Sequence, residues 1–297
     1  MDFKTLTLAD KDQITPLFQA WNHYENAESS FANLFIWRKF MNLQFCVMDG
    51  AVYLLVERKS KHTAFMPMAV PDEPLDRHVE NIVAHFRENG WEFIAFCTEQ
   101  QVNSLVNGKF GSQLAFRELM QSNEYIYDAQ SLRTLSGKTY QKKRNHINHF
   151  LKNYGDRIEY QEFRPEHADE CLSLYDTWLE HSASSDHAAY ERDSVVDALM
   201  NFEYLGLTGA IVRLSGKLEA FTLGERLTGD MALIHIEKAN RDIIGLYAFI
   251  NQQFLLNAFP DVSYVNREED LGLEGLRKAK MSYYPIRFIR KYEVKLK

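Results

Sequence analysis

Cysteine is nearly absent. Cys46, Cys97 and Cys171 stand far apart in apolar surroundings and form no C-x-x-C pair, which excludes a disulfide framework and a cysteine zinc site and predicts three buried thiols. Long hydrophobic runs are missing too. Nowhere do about 18 apolar residues follow one another, so no membrane-spanning helix is expected. Met1-Asp2-Phe3-Lys4 opens into structured-looking sequence instead of a basic stretch and an apolar segment, so no secretory signal is read and the expected compartment is the cytoplasm. A surplus of positive charge is also lacking: the net charge of -7 argues against a surface that clamps nucleic acid as a whole. Basic patches remain locally, at Lys138, Lys142, Lys143 and Arg144, and from Arg277 to the end, where eight Lys or Arg face one acidic residue.

What is there is ordinary globular material. A hydrophobic fraction of 45% beside 25% charged residues predicts folding throughout, and 297 residues exceed what one core usually serves, which predicts two domains. The chain also repeats itself once. Phe3-Lys-Thr-Leu-Thr followed by Asp12 to Trp21 has an echo at Tyr160-Gln-Glu-Phe-Arg followed by Asp169 to Trp178, at a constant offset of 157. That register pairs Asp12 with Asp169, Leu17 with Leu174, Phe18 with Tyr175 and Trp21 with Trp178. Gly50 to Arg58 likewise resembles Gly216 to Arg226, each a turn glycine opening an alternating strand that ends Glu-Arg.

Periodicity predicts, in each copy, a strand, two helices, three antiparallel strands, a helix, a strand, a helix and a closing strand. In the second copy the closing strand falls at 285–294. This is the element order of the GNAT acyltransferase fold, so the expected class is α+β: two tandem GNAT-like domains, each a mixed, mainly antiparallel sheet flanked by helices. The expected ranges are 1–137 for the first domain, 138–155 for a connector helix and 156–297 for the second domain.

In such a fold the fourth strand runs into a helix whose N-terminal N–H groups and dipole favour a phosphate or a polarised carbonyl. In the second copy that junction reads Ile234-His-Ile-Glu-Lys-Ala-Asn-Arg-Asp-Ile-Ile-Gly245-Leu-Tyr247. Gly245 either lets backbone approach a ligand or permits tight packing. Lys238, Asn240, Arg241, Gly245, Tyr247 and Asn251 are the candidate donor-binding residues. The first copy has Met66-Pro-Met-Ala-Val-Pro71-Asp-Glu-Pro74 at this place. Its prolines remove the N–H groups, which marks that copy as the non-catalytic half.

The segments EKANRDIIGLY at 237–247, YVNREEDLGLEGLRKAKMSYYP at 264–285 and YQKKRNHINHF at 140–150 resemble the bacterial family related to the C-terminal domain of phosphatidylglycerol lysyltransferase. The resemblance implies transfer of an acyl or aminoacyl group by two tandem GNAT-like domains. In the lysyltransferases the donor is an aminoacyl-tRNA and the acceptor a lipid. The chain departs from the acetyltransferase loop pattern, because Arg241 stands four residues before Gly245 instead of three and Tyr247 occupies a small-residue position. Acyl-CoA and aminoacyl-tRNA are both expected as candidate co-substrates, with no tightly bound cofactor and a small-molecule or lipid acceptor; the basic patches would suit a tRNA. The alternative is a non-catalytic module that binds a small molecule or partner.

Acyl transfer needs a base for the acceptor's proton, donors for the oxyanion and an acid or a good leaving group. Glu268 is the candidate base. Asp270 is either an N-cap or an alternative base, and Tyr283 a candidate proton donor or a core residue. Asn266, Arg267, Glu269, Arg277 and Lys280 are candidate substrate-binding residues, Arg277 and Lys280 lying one helical turn apart. His146 and His149 share a helix face without a carboxylate or cysteine beside them, so no metal is expected. His235, alternating with Ile234 and Ile236, reads as structural or cleft-lining.

Overall fold

The computed structural model describes residues 1–21, 24–69, 75–180 and 186–297; Pro71 and Pro74, on which the contrast between the copies partly rests, lie outside them. The chain begins β1 (Lys4–Thr5), α1 (Lys11–Trp21), α2 (Phe31–Met41), β2 (Leu43–Met48), β3 (Ala51–Arg58), β4 (Lys61–Met68) and α3 (Asp76–Glu88). It continues β5 (Ile94–Thr98), α4 (Glu99–Val106), β6 (Leu114–Glu118), β7 (Glu124–Asp128), α5 (Ala129–Thr134) and α6 (Gln141–Tyr154). Next come β8 (Ile158–Glu162), α7 (Ala168–Glu180), α8 (Asp186–Met200), α9 (Phe202–Leu205), β9 (Thr208–Leu214), β10 (Lys217–Thr228) and β11 (Met231–Ala239). The chain closes with α10 (Leu246–Asn257), β12 (Tyr264–Asn266), α11 (Glu274–Met281), β13 (Arg287–Ile289) and β14 (Lys291–Leu296).

The repeat is visible in local chemistry. Ahead of α1 the Asp10 carboxylate accepts the backbone N–H of Thr7 at 2.8 Å. Ahead of α7 the His167 Nδ1 accepts that of Arg164 at 3.0 Å. Both pairs, 157 residues apart, close the same entry turn, so the sequence register is also the structural one.

Two seven-stranded sheets result, one in the order β1-β2-β3-β4-β5-β14-β6 and the other β13-β7-β12-β11-β10-β9-β8. Each mixes antiparallel pairs with a parallel one, β4 with β5 and β11 with β12. The chain divides into two compact units, the first of Met1–Tyr125, Glu269–Arg277 and Phe288–Lys297 and the second of Ile126–Glu268 and Lys278–Arg287. The expected contiguous ranges 1–137, 138–155 and 156–297 therefore need correction. The single closing strand expected at 285–294 is two strands, and β14 belongs to the first unit's sheet, between β5 and β6. Strand alternation tells that a segment pairs, not with whom, because any edge offers the same unpaired N–H and C=O groups.

Each unit has its own core. In the first, Phe45, Tyr53 and Phe86 are fully buried; in the second, Phe150, Tyr175, Phe221 and Phe254 are. The three cysteines are free and buried. Among the described residues no helix is long and apolar enough to cross a membrane, and no group of three or more His, Cys, Asp or Glu could hold a metal ion.

Candidate functional site

In the second unit β11 and β12 pair over three positions, Met231 with Tyr264, Ala232 with Val265 and Leu233 with Asn266. β11 then continues to Ala239 while the other chain turns away, so the sheet parts. The turn has identifiable causes. The Asn266 side-chain oxygen accepts the backbone N–H of Glu268 at 2.8 Å, and Glu268 takes a left-handed φ of 55°, uncommon for a residue with a Cβ. The Lys280 ammonium donates to the carbonyls of Arg267 and Glu268. Lys280, expected to hold substrate, is thus buried and bound to backbone.

Charged side chains line the parting. His235, on β11 and 1% exposed, lies between two carboxylates, its Nδ1 3.0 Å from Glu268 and its Nε2 2.9 Å from Glu225. Burial opposes its charge, but the hydrogen bonds to Glu225 and Glu268 prevail and carry its pKa up to about 9. Both ring nitrogens then donate, and the imidazolium fixes the Glu268 carboxylate. Two residues along the same strand face, Glu237 accepts Arg267 Nη2 at 2.9 Å and the Asn251 amide at 2.9 Å. Arg267 Nη1 is buried with no hydrogen-bond partner. The Arg267 guanidinium lies 4.9 Å from the Tyr283 ring. The Lys143 ammonium sits 3.6 Å from that ring and donates to Ser282 Oγ at 2.7 Å. Burial, and then the positive charge of Arg267, bring Lys143 down to about 8. Burial pushes the Tyr283 hydroxyl well above its ordinary range, so it stays protonated.

The raised pKa of His235 makes stability depend on pH. A histidine whose folded pKa lies above the unfolded value of about 6.5 contributes fully below that value and loses its contribution as pH rises toward 9. Lys143, with a lowered folded pKa, acts the other way, but only above about 8. Between pH 6.5 and 8 the parent is therefore expected to lose on the order of 1–2 kcal/mol relative to His235→Gln. Denaturant midpoints of the two proteins across that window measure the difference.

The remaining candidates divide into two groups. Lys238 points to the opposite face of β11, where its ammonium bonds Glu191 at 2.7 Å and lies 3.7 Å over Trp178. Arg241 lies 4.1 Å over the same ring, and Tyr247 accepts the indole N–H at 2.9 Å. A cavity of about 480 Å³ opens here, walled by Leu174, Trp178, Leu218, Glu219, Asn240 and Arg241 among others. Gly245 is packed against backbone. At φ 94° it seats the start of α10 on α6, and a Cβ there would meet the His146 carbonyl oxygen at 2.1 Å. Close packing is the reading of the glycine that holds.

Asp270 and Arg277 belong to the first unit. The carboxylate of Asp270 accepts Tyr125 Oη at 2.5 Å, Gly272 N at 2.8 Å, and Arg277 Nε and Nη2 at 2.7 and 3.0 Å. A 1% exposed carboxylate so fully engaged is a structural tie, which speaks against Asp270 as a base. Glu269 falls in the same unit.

The first unit's own sheet parts at the equivalent place, where β4 pairs with β5 at Ala64–Ala95 and Phe65–Phe96 and then runs on to Met68. There the Gln101 amide donates to the carbonyls of Met66 and Pro67 at 3.4 and 3.2 Å. A neutral amide meets backbone at this parting, whereas charged groups line the other. His235 and Glu237 were legible as polar residues on an apolar strand; the involvement of Lys143 was hidden in what read as a surface basic patch.

Residues 21–295 match the family model described as phosphatidylglycerol lysyltransferase, C-terminal. A conserved protein of unknown function from Bacteroides thetaiotaomicron VPI-5482 is 35% identical, with all of both chains covered and a TM-score of 0.93. The C-terminal domain of a putative lysylphosphatidylglycerol synthetase from Agrobacterium fabrum is 15% identical over 97% of this chain and 92% of that one, with a TM-score of 0.67. A tandem GNAT protein from the clavulanic acid biosynthesis pathway, 11% identical over 98% and 97% of the chains, superposes with a TM-score of 0.50. These likenesses show the tandem GNAT-like fold. An uncharacterized protein of Mycoplasmoides gallisepticum is 26% identical over 181 residues, 59% of this chain and 56% of that one, so the chain spans about half the length of the curated relative it matches.

Proposed function

Because the chain belongs to the phosphatidylglycerol lysyltransferase C-terminal family, a family of transferases, we propose that its second unit moves an acyl or aminoacyl group from acyl-CoA or aminoacyl-tRNA to an amine or hydroxyl. The reaction centre in this reading is the parting between β11 and β12. The observation that carries it is the difference between the two partings: at one a neutral amide meets backbone carbonyls, while the other is lined by buried charges partnered mainly with one another. Buried charge is costly, and a core does not need it. Such clusters gather at reaction centres.

The chemistry follows from the side chains. As the acceptor attacks the donor's carbonyl carbon, its proton passes to Glu268, which His235 and Glu225 hold in place. Negative charge grows on the carbonyl oxygen, and the Arg267 guanidinium, braced by Glu237 and Asn251, stabilises it with the Nη1 donor left over. The bond from the carbonyl carbon to the leaving sulfur or oxygen breaks. Lys143, with a pKa of about 8, gives that atom a proton at neutral pH.

Purified protein incubated with charged tRNAs and with a panel of acyl-CoAs is expected to consume one donor class and release free tRNA or CoA in step with product. Absence of turnover and of binding with both classes contradicts the proposal.

A further inference from the structure

The cavity beside Trp178 lies on the face of β11 opposite His235 and Glu237, and the proton transfers above make no use of it. Its indole wall is fixed: Tyr247 holds the ring N–H, Tyr175 stacks on it at 17° between planes, and Lys238 and Arg241 lie over it. Leu174 and Leu218 add apolar surface. At about 480 Å³ the space is that of a small-molecule site.

The charged lining indicates what fits. Glu170, Glu219 and Asp242 face Lys217 and Arg241, so the wall has no excess of positive charge and does not suit a phosphate or another polyanion. Glu170 is satisfied by a bidentate pair with Arg213 at 2.6 Å. Glu219 is different. Its carboxylate is 8% exposed, accepts the Asn240 amide at 2.8 Å, and among the described residues pairs with one cation, Lys217, whose side chain is 74% exposed. A buried carboxylate covered by a solvated lysine is a site an incoming ammonium can take over, since the lysine loses little on returning to water. Arg241, on the neighbouring turn, offers a guanidinium to an acid.

We propose that this cavity binds a free α-amino acid, its ammonium on Glu219, its carboxylate on Arg241 and its side chain against Trp178. The further statement that this amino acid is the acceptor rests on the transfer reading above; the binding stands independently. An aminoacyl group esterified to a donor has no carboxylate, so the Arg241 end separates a free amino acid from a donor's aminoacyl end.

Calorimetric titration of the full chain with the proteinogenic L-amino acids tests this without any donor. At least one is expected to bind with a Kd near or below ~1 mM. Its N-acetyl derivative, its decarboxylated amine and its methyl ester should each bind at least about 10-fold more weakly, a loss worth ~1.4 kcal/mol. Arg241→Ala, at an exposed position, should weaken binding by a similar factor, and Glu219→Gln should do so with an unchanged melting temperature. If Glu219→Gln unfolds the protein, Arg241→Ala decides. Failure of every amino acid to bind at about 10 mM, or equal affinity for the methyl ester, overturns the proposal. Binding without turnover on any donor leaves this site standing and contradicts the transfer reading instead.

Discussion

Glu268→Gln is expected to lower donor-dependent turnover by about 10²–10⁴-fold, the range for removing a positioned general base, with little change in melting temperature. The amide keeps the size of the carboxylate, and its oxygen can still accept from His235 Nδ1, now 3.0 Å from the carboxylate. The turn that sets the backbone of residue 268 is held by its own N–H on the Asn266 side-chain oxygen, uses no atom of the Glu268 side chain and is untouched. What the variant loses is the capacity to take a proton. The comparison with Asp270→Asn is informative because the two acids are two residues apart and both were candidates. Asp270 has two arginine nitrogens, a tyrosine hydroxyl and a backbone N–H on its oxygens, so its replacement should reduce stability more than turnover per folded molecule. Equal loss of turnover per folded molecule in both variants would remove the distinction between them.

The largest effect on stability is expected in the first unit, from Lys291→Met. The Lys291 ammonium, on β14, bonds the Glu124 carboxylate at 2.6 Å and that of Glu28, with side-chain exposures of 7% for Lys291 and 1% for Glu124. Both Glu124 oxygens also accept the Ala27 N–H at 3.1 Å. Burial opposes the lysine charge, yet the two carboxylates hold its pKa above the ordinary range. Removing it takes away the cation that these two carboxylates share. Deleting one partner of a buried ion pair costs about 3–5 kcal/mol, so the denaturation midpoint should fall by that equivalent at pH 7. The deficit should shrink as pH falls, because protonating either glutamate relieves the repulsion. A deficit independent of pH would mean that packing and not charge accounts for the loss.

Much of the architecture could be read from the sequence because it rests on local chemistry. The helix expected at 245–258 is α10, and the strand and helix around 262–280 are β12 and α11, each within two residues or so. The 157-residue offset survives as matched entry turns at Thr7 and Arg164. Strand membership was not legible. β14 alternates like any strand, and nothing in its own residues says that it lies between β5 and β6.

The site divides along the same line. Asn266, Arg267 and Glu268 stand at the end of β12 and Tyr283 follows α11, and the structure keeps them at the parting. Asn251 joins them through Glu237. Gly245 was ambiguous in principle, since tight packing and ligand approach ask for the same missing Cβ. The surroundings of Lys143 were not legible because a cation on a basic helix looks the same whether it meets water or a tyrosine ring. Burial and then Arg267, the largest causes of its lowered pKa, come from the fold and not from its place on the helix.

The claim on which the account depends is that the reacting carbonyl enters the parting between β11 and β12. A crystal structure with a stable donor analogue, an amide-linked aminoacyl-adenosine or a thioether of CoA, tests it most directly. The account predicts the analogue's carbonyl oxygen within hydrogen-bond distance of Arg267 Nη1, with its carbonyl carbon on the Glu268 side. An analogue ordered elsewhere, with the charged groups of the parting still bonded to one another as they are here, would contradict it.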